Sequence, residues 1–125
     1  MKKVINTSDA PAPIGPYNQA IVAGNFIFVS GQIPSHPFTG ELVIDDITIA
    51  TNLVMENIGA ILKEAKADFS HIVKSTIFLT DMKSFAEVNE VYGGYFGEMA
   101  PARETVQVSG LPKGVKVEIS MIAGK

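Results

Sequence analysis

The chain has 125 residues, no cysteine, no tryptophan and a formal charge of −3, with nine lysines beside one arginine. That length supports one domain spanning 1–125 with its own core, and the absent thiols exclude disulfide scaffolds, thiolate metal centres and cysteine nucleophiles. The lysines are scattered along the chain and form no basic stripe able to neutralise a phosphate backbone, so nucleic acid is not an expected partner.

The N-terminal stretch Met1-Lys2-Lys3-Val4-Ile5-Asn6 carries no apolar run of signal-peptide length, and nowhere do about 18 apolar residues follow one another. A cytoplasmic protein without membrane association is the expectation. Strands are expected at 3–6, 19–22 and 26–32, the last two joined by a Gly24-Asn25 hairpin turn. A helix follows over 45–67, where Ile47, Ala50, Val54, Ile58, Ile61 and Ala65 step by three or four. Asp45-Asp46 at its start suits capping and the helix dipole better than a catalytic carboxylate pair.

A fourth strand is expected at 72–80. The second helix should open at Ser84-Phe85-Ala86-Glu87, a capping-box pattern, with Phe85, Val88, Tyr92 and Phe96 on one side. Gly93-Gly94 weakens that run, by about 1 kcal/mol per glycine, so it should pack tightly there or end early near Met99. Strands at 105–109 and 115–123 complete a β-β-β-α-β-α-β-β order. The fold class is therefore α/β of the α+β kind, a mixed sheet with two helices packed on one face. The other face needs a cover. With a mean hydropathy of +0.23, this argues for a homo-oligomer whose site lies at a subunit boundary.

Phosphate loops, nucleophile elbows, dinucleotide glycine fingerprints and zinc-protease motifs are all absent. His36 and His71 have no ligand-like spacing, so both read as structural or solvent-facing, and no metal site is expected. The distinctive segment is Pro101-Ala102-Arg103-Glu104-Thr105-Val106-Gln107-Val108. Strand alternation places Arg103, Thr105 and Gln107 on one face. If this strand forms a hairpin with 115–123 through Gly110–Gly114, Arg103 and Glu118 share the less apolar face. The structural reading is an Arg–Glu salt bridge. The chemical one is a guanidinium fork for a carboxylate, which lysine would not replace.

Pro101-Ala102-Arg103, Thr105-Val106, Leu111-Pro112-Lys113 and Val117-Glu118-Ile119 resemble the C-terminal signature of the RidA/YjgF family of enamine and imine deaminases. Ile14-Gly15-Pro16-Tyr17-Asn18-Gln19-Ala20, Val29-Ser30-Gly31-Gln32-Ile33-Pro34 and Val88-Asn89-Glu90-Val91-Tyr92 extend the likeness over nearly the whole chain. The resemblance implies a chorismate-mutase-like fold assembled as a homotrimer with clefts between subunits. It also implies cofactor-free hydrolysis of 2-aminoacrylate-type enamines and imines, released by pyridoxal-phosphate dehydratases, to 2-ketoacids and ammonia. By position, Arg103 would grip the substrate carboxylate, Glu118 would orient or deprotonate water, and Tyr17 would help fix the substrate. Ser30, Gly31, Asn89 and Thr105 would line the pocket.

Two positions depart from the family pattern. Glu104 replaces a small residue and should point away from Arg103, and Thr105 stands where cysteine is frequent. A non-catalytic sensor of 2-ketoacids or amino acids could use the same cleft, and Glu118 is what separates that role from an enzyme's. A role in translation inhibition or RNA cleavage, also attached to this family, fits the acidic balance poorly. Chorismate mutase chemistry would need more than one guanidinium for its dicarboxylate.

Overall fold

β-branched and aromatic runs divided by turns form six strands, which the computed structural model, describing residues 1–125, joins into one sheet. They are β1 (Lys2–Ile5), β2 (Ala20–Ala23), β3 (Phe26–Gln32), β4 (Ile72–Leu79), β5 (Ala102–Gln107) and β6 (Val117–Gly124), in the spatial order β1-β2-β3-β6-β4-β5. Only β4 and β5 run parallel. A parallel neighbour requires a crossover, which helix α2 (Phe85–Gly93) supplies, while α1 (Ile47–Glu64) links β3 to β4. No helix is long and apolar enough to cross a membrane.

The expected mixed sheet and element order are thus present, and α1 follows its sequence signals closely. Asp46 caps it by accepting the Ile49 amide at 3.0 Å, and Ala50, Val54, Ile58 and Ile61 are fully buried. These side chains meet Ile27, Val29, Val117, Ile119 and Met121 of the sheet in one core.

Helix α2 starts differently from expectation. Ser84 makes no capping bond, because its backbone is already helical (φ −82°, ψ −2°) at the end of a 3-10 turn over Met82–Ser84. That turn is capped by Asp81, which accepts the Lys83 amide at 2.9 Å. The helix stops at Gly93, well before Met99, as paired glycines favour.

The expected β5–β6 hairpin does not form. β4 lies between the two strands, pairing with β5 on one side and β6 on the other. The β4–α2–β5 unit fills the position beside β4, so the 108–116 connection passes across the end of that strand, bonded through Val108 N to Leu79 O and Thr80 N to Lys116 O.

The face away from the helices is apolar over β1, β2, β3 and the adjoining part of β6, and polar around Lys74, Thr76, Glu104 and Glu118. Val4, Ile21, Phe28 and Ile122 lie in register across four strands, and Phe28 remains 44% exposed. An exposed apolar patch of this kind is characteristic of an association surface.

Residues 6–18 fold back over the end of β3 and are held by one side chain. Gln19, 1% exposed, accepts the Thr7 amide at 2.6 Å and donates to the carbonyls of Thr7, Ala10 and Pro11 at 3.0, 3.2 and 2.8 Å. Truncation would leave buried carbonyls unpaired, at roughly 1–3 kcal/mol for each uncompensated group. Gln19→Ala is therefore expected to lower unfolding free energy by about 2–4 kcal/mol in urea titration. A loss under 0.5 kcal/mol would show that water replaces the clamp.

Candidate functional site

Arg103 stands in β5 beside Ser75 of β4 and faces the helices. Its guanidinium carbon lies 5.6 Å from the Phe85 ring centroid and 5.2 Å from that of Tyr92, and Nη1 donates to Asn89 Oδ1 at 2.6 Å. Spacing along α2 produces this clamp, since positions 85, 89 and 92 follow one another at one helical turn. The Tyr92 hydroxyl donates in turn to buried Ser75 Oγ at 2.9 Å. Two aromatic faces and one acceptor fix the guanidinium plane and leave its other N–H groups free.

Thr105 shares this face, and its buried hydroxyl oxygen has no hydrogen-bond partner. Buried polar atoms are almost always paired, so a ligand arriving at Arg103 would meet an unsatisfied group. Glu104 points to the opposite face, as alternation predicts. It accepts from Thr76 Oγ1 at 2.9 Å and pairs with Lys74 at 3.3 Å. Those partners, led by the Thr76 bond, hold its carboxyl below the ordinary glutamate value, and it does not compete for Arg103.

Glu118 belongs to a second cluster. In β6 it alternates with Val117 and Ile119, which are buried in the core, so it projects from the open face of the sheet. Opposite it β3 carries a bulge. Val29 pairs with Met121 and Gln32 with Ile119, so Ser30 and Gly31 together oppose Ser120, a distortion common beside active sites. The bulge brings the Gly31 backbone under the Glu118 side chain. Burial pushes the Glu118 carboxyl above the usual carboxylate range.

Tyr17, half-exposed, and Gly31 line the same 350 Å³ cavity with Ile14, Gln32, Ile33 and Lys113. Ser30 anchors the Tyr17 loop by donating from Oγ to Asn18 O at 2.6 Å and from its amide to Gln19 O at 2.9 Å. A Cβ on Gly31 would come within 2.9 Å of Glu118 Cδ and 3.2 Å of Cγ, and closer still to Oε2. Gly31 has no positive φ, so the backbone tolerates alanine and the carboxylate must swing away. Gly31→Ala is expected to reduce turnover about 10²-fold, the usual cost of a misplacement near 1 Å, with little change in melting temperature. Equal losses in both would make the glycine merely structural.

The expected sharing of one face by Arg103 and Glu118 is overturned. Their β4 partners are Ser75 and Phe78, three residues apart and therefore on opposite faces. Arg103, Asn89 and Thr105 form one cluster on the helix side at the β5 edge. Tyr17, Ser30, Gly31 and Glu118 form another around the β3 bulge. Sequence inspection missed Phe85, Tyr92 and Ser75 as supports of Arg103. The signal was present, since Asn89 interrupts the apolar stripe of α2 at the turn facing the arginine.

The remaining candidates are structural. His71 Nδ1 accepts the Asp68 amide at 3.1 Å, and His36 Nδ1 accepts the Phe38 amide at 3.3 Å. No three His, Cys, Asp or Glu side chains converge into a group able to hold a metal ion.

Residues 7–125 match the family model described as Endoribonuclease L-PSP. A RutC family protein of Pyrococcus horikoshii is 56% identical over 125 residues, covering 100% of this chain and 99% of that protein. The 2-iminobutanoate/2-iminopropanoate deaminase of Mus musculus is 45% identical over 123 residues, covering 98% and 91%. The crystal structure of E. coli TdcF with bound serine superimposes with a TM-score of 0.94 at 44% identity, covering 98% of both chains.

Proposed function

Because the chain belongs to the endoribonuclease L-PSP family, also called RidA/YjgF, we propose that it hydrolyses 2-aminoacrylate-type enamines and their imine tautomers to 2-ketoacids and ammonia. The single observation that carries this reading is the placement of Arg103, Asn89 and Thr105 on one face of the sheet and of Gly31 and Glu118 on the other. Neither half-site is complete alone. A homotrimer packed through the apolar open face supplies the missing half, with Arg103 of one subunit meeting Glu118 and Gly31 of the next. The imine deaminase of Mus musculus and the serine held by TdcF support a small substrate of amino-acid type.

In this mechanism the free N–H groups of Arg103 receive the substrate carboxylate in a bidentate pair, and the Thr105 hydroxyl gains a partner. Tyr17 and the Gly31 backbone border the other side of the substrate. Glu118 takes a proton from water as its oxygen bonds to the imine carbon, and the C=N π electrons move to nitrogen. Glu118 returns that proton to nitrogen to give the neutral carbinolamine, then takes the hydroxyl proton and passes it to nitrogen as the C–N bond breaks, so ammonia leaves, the C=O of the 2-ketoacid forms and Glu118 is again a carboxylate. An imine carbon is already electrophilic, so positioning and proton transfer suffice.

The direct test couples the protein to a serine or threonine dehydratase and follows 2-ketoacid formation with semicarbazide as competing trap. Acceleration over the dehydratase alone is expected. Tight 2-ketoacid binding without acceleration would favour a sensor using the same cleft.

A further inference from the structure

The helix layer carries a groove that the proposed chemistry does not use. It lies between α1 and α2, has a volume of about 760 Å³, and is floored by Val43, Ile49, Leu53, Val91 and Tyr95. Ile49 is 56% exposed. Its rim carries Glu56, Glu87 and Glu90 and no lysine or arginine, and the adjoining hollow adds Asp45 and Asp46 against one cation, Lys116. Covering the open sheet face leaves this surface untouched, because it is on the other side of the molecule.

We infer that this groove docks a cationic amphipathic helix of another protein. Ile49 and Leu53 lie one turn apart on α1, and Val91 near the end of α2 with Tyr95 just past it forms the facing apolar row. Two such rows match apolar anchors at i, i+4 and i+7 of an entering helix, with its lysines or arginines against the glutamate rim. The docked helix is separated from Arg103 by α2 alone, which carries Glu87, Glu90 and Val91 toward the groove and Phe85, Asn89 and Tyr92 toward the guanidinium. The inference does not depend on the deaminase reading.

The experiment titrates isotope-labelled protein with a synthetic Leu/Lys peptide patterned as an amphipathic helix, and separately with a scrambled peptide of the same composition. Amide shifts are expected to cluster at Ile49, Leu53, Val91 and Tyr95, with the scrambled peptide about tenfold weaker. The exposed triple variant E56Q/E87Q/E90Q should weaken binding about tenfold at low salt and flatten its salt dependence, with turnover unchanged. Leu53→Asn, which removes the apolar anchor without adding charge, should weaken it at any salt concentration. Equal binding of the two peptides, shifts elsewhere, or indifference to the triple variant would overturn the inference. So would concentration-dependent shifts of these residues without peptide, which would assign the groove to a second copy.

Discussion

Arg103→Ala is expected to lower kcat/KM for 2-imino acids by about 10²–10³-fold, equivalent to roughly 3–4 kcal/mol of lost transition-state stabilisation. The substitution removes a bidentate ionic pair and, with it, the orientation of the C=N group toward water. Arg103→Lys should recover little, because a point charge cannot reproduce the planar fork that Asn89, Phe85 and Tyr92 hold in place. Ketoacid formation from a coupled dehydratase measures both variants. If the alanine variant retained wild-type turnover, the carboxylate anchor would lie elsewhere.

Glu118→Gln is expected to reduce kcat by about 10²–10⁴-fold, the range for losing a general base, with 2-ketoacid binding largely retained. The pH profile provides a second readout. The influence on Glu118 is burial, which raises its pKa. Turnover should therefore fall as pH drops through a value above the ordinary glutamate range, and the glutamine variant should lack that acid limb.

Stability should move oppositely. Between the unfolded and the raised folded pKa the unfolded chain binds fewer protons, so unfolding free energy declines as pH rises and the charged carboxylate is a burden at neutral pH. The glutamine variant should then be at least as stable as wild type while nearly inactive. A large loss of stability would identify Glu118 as a structural residue.

What the sequence revealed and what it hid divide along local and long-range effects. The α1 stripe from Ala50 to Ile61, the Asp46 cap and the Gly24-Asn25 turn depend on neighbours within a few residues, and all are legible from periodicity. The face assignment of Arg103, Thr105 and Gln107, and the outward turn of Glu104, follow from strand alternation alone. The partner of β5 could not be read that way. A short turn over Gly110–Gly114 suggests a hairpin, and only the full sheet shows β4 occupying that place. The same insertion separates Arg103 from Glu118. Nor does the motif Ser30-Gly31 announce a bulge, since the extra residue is defined against β6, far along the chain. The resemblance named the residues, while the geometry places them in two clusters on opposite faces of the sheet.

Co-expression of the Arg103→Ala and Glu118→Gln chains tests that division most directly. Each variant alone should be nearly inactive. In an equimolar random assembly about a quarter of the boundaries pair an intact Arg103 with an intact Glu118, so mixed oligomers should recover about a quarter of wild-type turnover per site. Mixed oligomers that form but stay as inactive as either parent would contradict a site shared between subunits.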